Sequence, residues 1–239
     1  MLFLGLVERA RPAIPEQTGI FRNLGIGGFG FAAQVIGSAW LAPITSFTVN
    51  RAHGGLFLLP AGGAGLILGI AIYVVAMDMG EYLFHRAQHA IPFLWAMHSL
   101  HHSDESFGTT TTVRHFWLES WIKSLTVWLA IGMLFKASPV IVVSYGLLAT
   151  YNFVSHANLR LDFGPAWWLL NSPAYHRLHH SPAPEHAGCN YAALLPIFDL
   201  LSGAHFRPPA GLFPDTGLAT GATPRSAFQA LAWPLLRGN

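Results

Sequence analysis

The sequence predicts an all-α integral membrane protein: about four transmembrane helices in two hairpins, closed on the cytoplasmic face by a helical cap. Three observations lead there. Only 10% of the 239 residues are charged and 52% are hydrophobic, against about 25% charged in an ordinary soluble domain. Four apolar stretches are separated by polar links, two of them short. The chain also holds 13 histidines, as many as its lysines and arginines together, and most of them are gathered beyond the ends of those stretches. Residues 1–239 read as a single membrane-embedded domain.

The opening "MLFLGLVERARPAIPEQ" has an apolar run too short for a signal-peptide core and no small-residue cleavage site, so it reads as retained. Residues 24–49 are uncharged, although glycines and Pro43 argue against a straight helix. Residues 55–77, "GLFLLPAGGAGLILGIAIYVVAM", form the clearest span, since about 20 helical residues cross a hydrocarbon core. Residues 117–135 carry Glu119 and Lys123 at one end, where they snorkel or face the protein interior. Residues 138–156 follow after a very short link, which predicts an antiparallel pair. With the N-terminus in the cytoplasm, Arg9, Arg11, Arg22, Arg86, Arg114, Arg160, Arg177, Arg207, Arg225 and Arg237 fall on that side. Arg51 and Lys136 are left in the outer turns, as the positive-inside rule asks. The tail from Pro208 is rich in Gly, Pro, Ala and Thr and reads as irregular.

The same topology places the histidine clusters on the cytoplasmic face. In "DMGEYLFHRAQH" Asp78, Tyr82, His85 and His89 share one helical stripe, and two imidazoles at i and i+4 can grip one ion. "HSLHH" sets His98, His101 and His102 on a common face, with the adjacent rings diverging enough to serve two ions; "HRLHH" repeats this with His176, His179 and His180. Pro92 and the Ser172-Pro173 pair start short helices under both phrases. With His156 the count is nine, too many for one ion and suited to two ions of an imidazole-accepting transition metal. His53, in an outer turn, and His186 and His205 read as structural, while His115 stands between the two readings. Gly25, Gly27 and Gly30 match a dinucleotide fingerprint in spacing only; inside an apolar run they read as close helix packing. A net charge of +2 with scattered basic residues gives no nucleic-acid surface. The lone Cys189 excludes an internal disulfide, a Cys-ligated cluster and a c-type haem site.

With those residues set out, the chain resembles the fatty acid hydroxylase superfamily, also called the sterol desaturase family. The matching order is His-x-x-x-His (His85, His89), His-x-x-His-His (His98, His101, His102) and a later His-x-x-His-His (His176, His179, His180). "SHANL", "NYAALLPIFD" and "SGAHF" extend the likeness over residues 78–206; "NYA" and "IFD" depart from the family's usual Asn-Tyr-Gly and Trp-Asp without touching a ligand position. The resemblance implies a di-iron centre using dioxygen, with His156 a further ligand; Asn152, one turn before it, is a candidate either to hold a metal-bound water or to make a hydrogen bond within its helix. Asp78, Glu81, Asp104, Glu105 and Asp199 are then candidates to orient the imidazoles.

The implied activity is hydroxylation, or desaturation, of a lipid C–H bond, the lipid being fatty acyl, sterol or alkyl-ether. The chain has no cysteine cluster, haem motif or dinucleotide fold, so an external ferredoxin- or cytochrome-type donor is implied, docking on the cytoplasmic face where the exposed arginines lie. A bacterial inner membrane suits the compact size. A zinc metallohydrolase is the alternative, disfavoured by the number of histidines and the lack of His-Glu-x-x-His. A metal transporter would carry its ligands near the bilayer midplane, where these spans hold almost no ionisable residue.

Overall fold

The computed structural model describes residues 1–15 and 18–236; Arg237, counted above among the cytoplasmic arginines, lies outside them. Among the described residues the fold is all-helical, with isolated bridges at Pro12 with Leu159 and Phe57 with Phe135 in place of any sheet. A short helix α1 (Leu2–Ala10) precedes α2 (Ile20–Arg51), which runs 32 residues through Pro43 without ending. Helix α3 (Ala64–Ala90) has 27 residues. Both α2 and α3 are long and apolar enough to cross a membrane.

The span expected over residues 55–77 starts later than the hydropathy indicated. Gly55 has φ 109° and lies against the backbone of Phe135 and Lys136, so residues 55–63 form an irregular turn. That turn pairs with the chain at the end of the third apolar stretch, Phe57 N–H donating to Leu134 O at 2.9 Å and Lys136 N–H to Phe57 O at 2.8 Å. The two turns carrying Arg51 and Lys136 therefore meet at one end of the molecule. Helix α3 continues past residue 77 without a break and carries His85 and His89 on its last turns.

Helix α4 (Pro92–His102) turns back along α3. The third apolar stretch is α5 (Glu119–Lys123), a wide turn over Ser124–Trp128 and α6 (Leu129–Leu134). The fourth is α7 (Pro139–Ser155), which packs along α3 and meets the third through Trp128 and Tyr145, ring centroids 4.3 Å apart. Their shared core contains Tyr73, Met77, Phe84, Val127, Ile131 and Val140. Outside it, Phe31, Trp40 and Phe47 of α2 are 73%, 73% and 64% exposed, whereas Asp78, Asp104 and His180 are 0% exposed. Apolar groups outside and ionisable groups inside are the arrangement a lipid solvent selects.

Short helices α8 (Pro173–His179), α9 (Ile197–Ser202), α10 (Ala227–Ala230) and α11 (Trp233–Leu236) complete the chain. The tail is irregular over most of its described length, as its composition indicated, with α10 and α11 four residues each. Trp233 and Ala230 are buried with Met97, Leu100 and Phe116, and Trp233 Nε1 donates to Ser99 Oγ at 2.9 Å, so the tail backs α4. The glycine spacing behaves in part as helix packing: Gly25 abuts Ala227 and Gly27 abuts Val113, while Gly30 faces open space.

Candidate metal centre

Local sequence sets each histidine. Pro92, with its fixed φ and missing N–H, opens α4 as its first residue. Ser172 Oγ caps α8 by accepting from Tyr175 N–H at 3.2 Å, and Pro173 follows. His156 is the C-cap of α7. The four elements α3, α4, α7 and α8 converge, and their nine imidazoles sort into two groups. His85, His89, His98 and His102 form one; His101, His156, His176 and His180 form the other. His179 joins the first, its Nε2 standing 3.0 Å from His85 Nε2. Each doubled phrase is split between groups: the rings of His101 and His102 diverge by 86°, those of His179 and His180 by 83°. His102 and His180 stack across the divide at 4.3 Å.

The hydrogen bonds fix which ring nitrogens hold lone pairs. His85 Nδ1 donates to Tyr191 O at 2.7 Å, and His179 Nδ1 to Cys189 O at 2.7 Å. A neutral imidazole carries one proton, so both Nε2 atoms are bare acceptors facing each other at 3.0 Å. In the second group His156 Nδ1 donates to Asn152 O at 2.7 Å, which leaves its Nε2 bare at 3.2 Å from His101 Nε2 and 3.1 Å from His176 Nε2. His98 Nδ1 donates to Glu119 Oε2 at 3.1 Å, and its buried Nε2 has no partner among the described residues; neither nitrogen of His180 has one. Protonation does not relieve the repulsion. Burial, reinforced by neighbouring histidines, holds His101, His102, His176 and His180 well below the ordinary histidine range and lowers His98 as well, while burial takes His179 down to about 3. Converging bare lone pairs fit a cation. Nitrogens about 2.1 Å from one ion and at right angles to each other lie about 3.0 Å apart, against about 3.4 Å in a tetrahedron.

The carboxylate in contact with the imidazoles is Glu119, which the sequence placed only at a span end. It is buried and accepts from Gln88 Nε2 at 2.5 Å, His98 Nδ1 at 3.1 Å and Phe116 N–H at 3.0 Å, with His115 Nδ1 3.4 Å away. His115 also stacks on His101 at 4.5 Å and 9°. The signal for it was present: an ionisable residue four positions after a histidine, inside an otherwise apolar stretch.

Of the five carboxylates expected around the centre, four bond other groups directly and Glu105 faces solvent. Asp78 accepts from the N–H groups of Leu194 and Leu195, and Asp199 from those of Tyr191 and Ala192 and from Tyr175 Oη. Both hold the segment whose carbonyls orient His85 and His179, so their effect on the imidazoles is indirect. Burial pushes Asp199 up to about 6. Glu81 pairs with Lys123 Nζ at 2.6 Å, Asp104 accepts from Asn23 and Thr111, and Glu105 is exposed. Asn152 contributes its backbone carbonyl to His156 and lies half-buried. His186 bonds Ser181 Oγ at 2.9 Å, His205 stacks on Trp167 at 5.9 Å, and His53 sits in its turn with φ 57°.

Two of the arginines placed on the cytoplasmic side are interior. Arg114 is 0% exposed and bonds Leu100 O, Asn23 Oδ1, Ser103 Oγ and Thr223 Oγ1; burial lowers it to about 10. Arg177 is likewise buried, its Nε donating to Pro214 O at 2.7 Å. Both cations lie inside because several carbonyl and hydroxyl oxygens satisfy their N–H groups. Arg160, Arg207 and Arg225 remain exposed.

The sequence is similar to those of known proteins. The chain is 34% identical over 132 residues to an alkylglycerol monooxygenase of Xenopus tropicalis, covering 54% of this chain and 28% of that protein. It is 32% identical over 131 residues to the alkylglycerol monooxygenase of Homo sapiens, again 54% of this chain and 28% of the other. An ornithine lipid hydroxylase of Rhizobium tropici is 28% identical over 168 residues, 70% of this chain and 50% of that one. The chain thus spans between about a quarter and a half of the length of these relatives. No solved structure matches it. The family model for fatty acid hydroxylase matches residues 70–204, a stretch that contains all nine clustered histidines, and the chain belongs to that family.

Proposed function

We propose that the protein is a membrane-bound, dioxygen-dependent lipid hydroxylase whose nine histidines hold two irons, five on one and four on the other. One observation carries the reading: bare imidazole lone pairs converge at 3.0–3.2 Å in two adjoining groups. Five donors in one group exceed the about four that zinc takes in a structural site and the about three in a hydrolytic one, which favours iron over the zinc hydrolase. The relatives named as alkylglycerol monooxygenase and ornithine lipid hydroxylase support a lipid substrate.

When bound, the irons would supply the reduction of dioxygen and the oxidising power to break an unactivated C–H bond. The chain's own residues prepare that chemistry. Tyr191, Cys189 and Asn152 carbonyls and the Glu119 carboxylate hold Nδ1 protons and so aim Nε2 lone pairs inward. Phe107 packs over His156 and His180 at 5.4 and 4.8 Å and keeps water from that side. Four spans in two hairpins, with the histidines on the cytoplasmic side, complete the reading. The convergence of the Arg51 and Lys136 turns opposite the histidine end supports it. Electrons come from a separate ferredoxin- or cytochrome-type protein docking near Arg160, Arg207 and Arg225.

The test is turnover in nanodiscs with a chemical reductant, isotope-labelled dioxygen and a panel of lipids. A hydroxylated product carrying one labelled oxygen is expected. Product formation without dioxygen, or hydrolysis in its place, would overturn the assignment.

A further inference from the structure

Away from the metal centre, we infer that α1 and the first turns of α2 form a seat for one anionic phospholipid of the cytoplasmic leaflet; this rests on the membrane placement above and not on the metal. Helix α1 has the reverse of a soluble helix's polarity. At about 100° per residue Leu2, Phe3, Leu6 and Arg9 share one face, and these side chains are exposed while Glu8, on the other side, is buried. An acid turned inward and apolar groups turned outward suit a surface that meets lipid. Between α1 and α2 lies an apolar groove of about 390 Å³, walled by Leu2, Gly5, Leu6, Ile20, Phe21 and Leu24. Phe21 and Leu24 begin a stripe along α2 that continues through Phe31 and Val35, all of them exposed. The groove is therefore continuous with the face that α2 shows to the bilayer.

The polar part of the wall is Glu8, Arg9, Thr109 and Thr110. Thr109 is buried, and its Oγ1 has no hydrogen-bond partner among the described residues. Thr110 Oγ1 accepts from Asn23 Nδ2 at 3.2 Å and keeps its own proton to give. Arg9, and Arg11 at the end of α1, are exposed and make no ion pair among the described residues. Glu8 is the one acid in the wall, and its Oε1 is shared by the N–H groups of Thr109 and Asn158 at 2.7 and 2.6 Å. Two hydroxyls and two cations beside an apolar groove fit a phosphodiester that carries an acyl chain. A zwitterionic headgroup adds an ammonium, which the arginines repel. The seat is also tied to the centre. Asn158, two residues after His156, bonds Ala13 and Ile14 as well as Glu8, so a lipid held at α1 steadies the chain that leaves His156.

Native mass spectrometry of the purified protein in detergent, titrated with phosphatidylglycerol or phosphatidylcholine, tests the seat. One phosphatidylglycerol per chain should bind at least about tenfold more tightly than phosphatidylcholine, since each arginine near an anionic lipid contributes about fivefold. Arg9→Gln should weaken that first binding about fivefold, and Thr109→Val, nearly isosteric, by a similar factor. A Cβ at Gly5 meets open space, so Gly5→Leu keeps the helix and fills the groove; the tight binding should then be lost. If Gly5→Leu lowers the melting temperature of the lipid-free protein, the other two variants read the same seat. Equal binding of the two lipids, or tight binding unchanged in Arg9→Gln and Thr109→Val or surviving in a folded Gly5→Leu, would overturn it. So would a dimer that Gly5→Leu dissociates and phosphatidylglycerol does not, since a second copy would then cover this face. No step requires metal, so the outcome does not depend on whether the histidines bind iron.

Discussion

Glu119 is the residue on which the histidine geometry turns most directly. Its Oε2 takes both the His98 proton and the Gln88 amide and its Oε1 the Phe116 N–H, so Glu119→Ala strands three buried donors and frees His98 to rotate. Losing such an orienting partner typically weakens metal binding about 10- to 100-fold, and chelator competition should show that loss, with Glu119→Gln intermediate. A second expectation concerns pH. In the metal-free protein the folded-state pKa values of His98, His101, His102, His176, His179 and His180 are all depressed, so the unfolded chain binds protons first. The stability they confer is complete above about pH 6.5 and is lost as pH falls toward the folded values, about 3 for His179. Melting temperature against pH should therefore fall below about 6.5, and at least as steeply with metal bound, because an ion on the imidazoles also keeps protons off the folded state. A flat profile in the metal-free protein would contradict the buried, neutral imidazoles.

At the scale of elements, the sequence was legible where periodicity and chemistry coincided. The stripe of His85 and His89, the proline-led helices and the Ser172 cap all followed from spacing. The start of α3 did not, because hydropathy cannot separate apolar helix from the apolar turn over residues 55–63. Nor did the orienting partners, since three of them, Tyr191, Cys189 and Asn152, act through backbone carbonyls that any residue type supplies. The tail is a loop over most of its described length, as its composition indicated, but composition does not show where it docks: Trp233 and Ala230 are buried against α4, and Trp233 Nε1 bonds Ser99 Oγ. Trp233→Ala should cost about 3–5 kcal/mol, seen as a lower unfolding midpoint, and should loosen His98, His101 and His102 enough to lower metal retention.

For the whole molecule, the exposed apolar belt and the interior charges argue for lipid as the solvent, and the histidine groups sit at the end opposite the Arg51 and Lys136 turns. Single cysteines placed in a Cys189→Ser background at Arg51 or Lys136 should react with an impermeant reagent from one side of sealed vesicles, and those at Arg160 or Arg207 from the other. Labelling of all four from one side would contradict two spanning hairpins. Family membership and the order of the histidine phrases were readable from sequence; the partition of each adjacent pair between two groups is a property of the fold. That partition gives the most direct measurement of the central claim: metal analysis with Mössbauer spectroscopy on protein grown with iron-57, beside two paired variants. His102→Ala with His179→Ala empties one group, and His101→Ala with His180→Ala the other. The account predicts roughly two coupled irons per chain in the parent and about one uncoupled iron in each paired variant. Stoichiometric zinc from iron-replete cells, or full metal content in both variants, would contradict it.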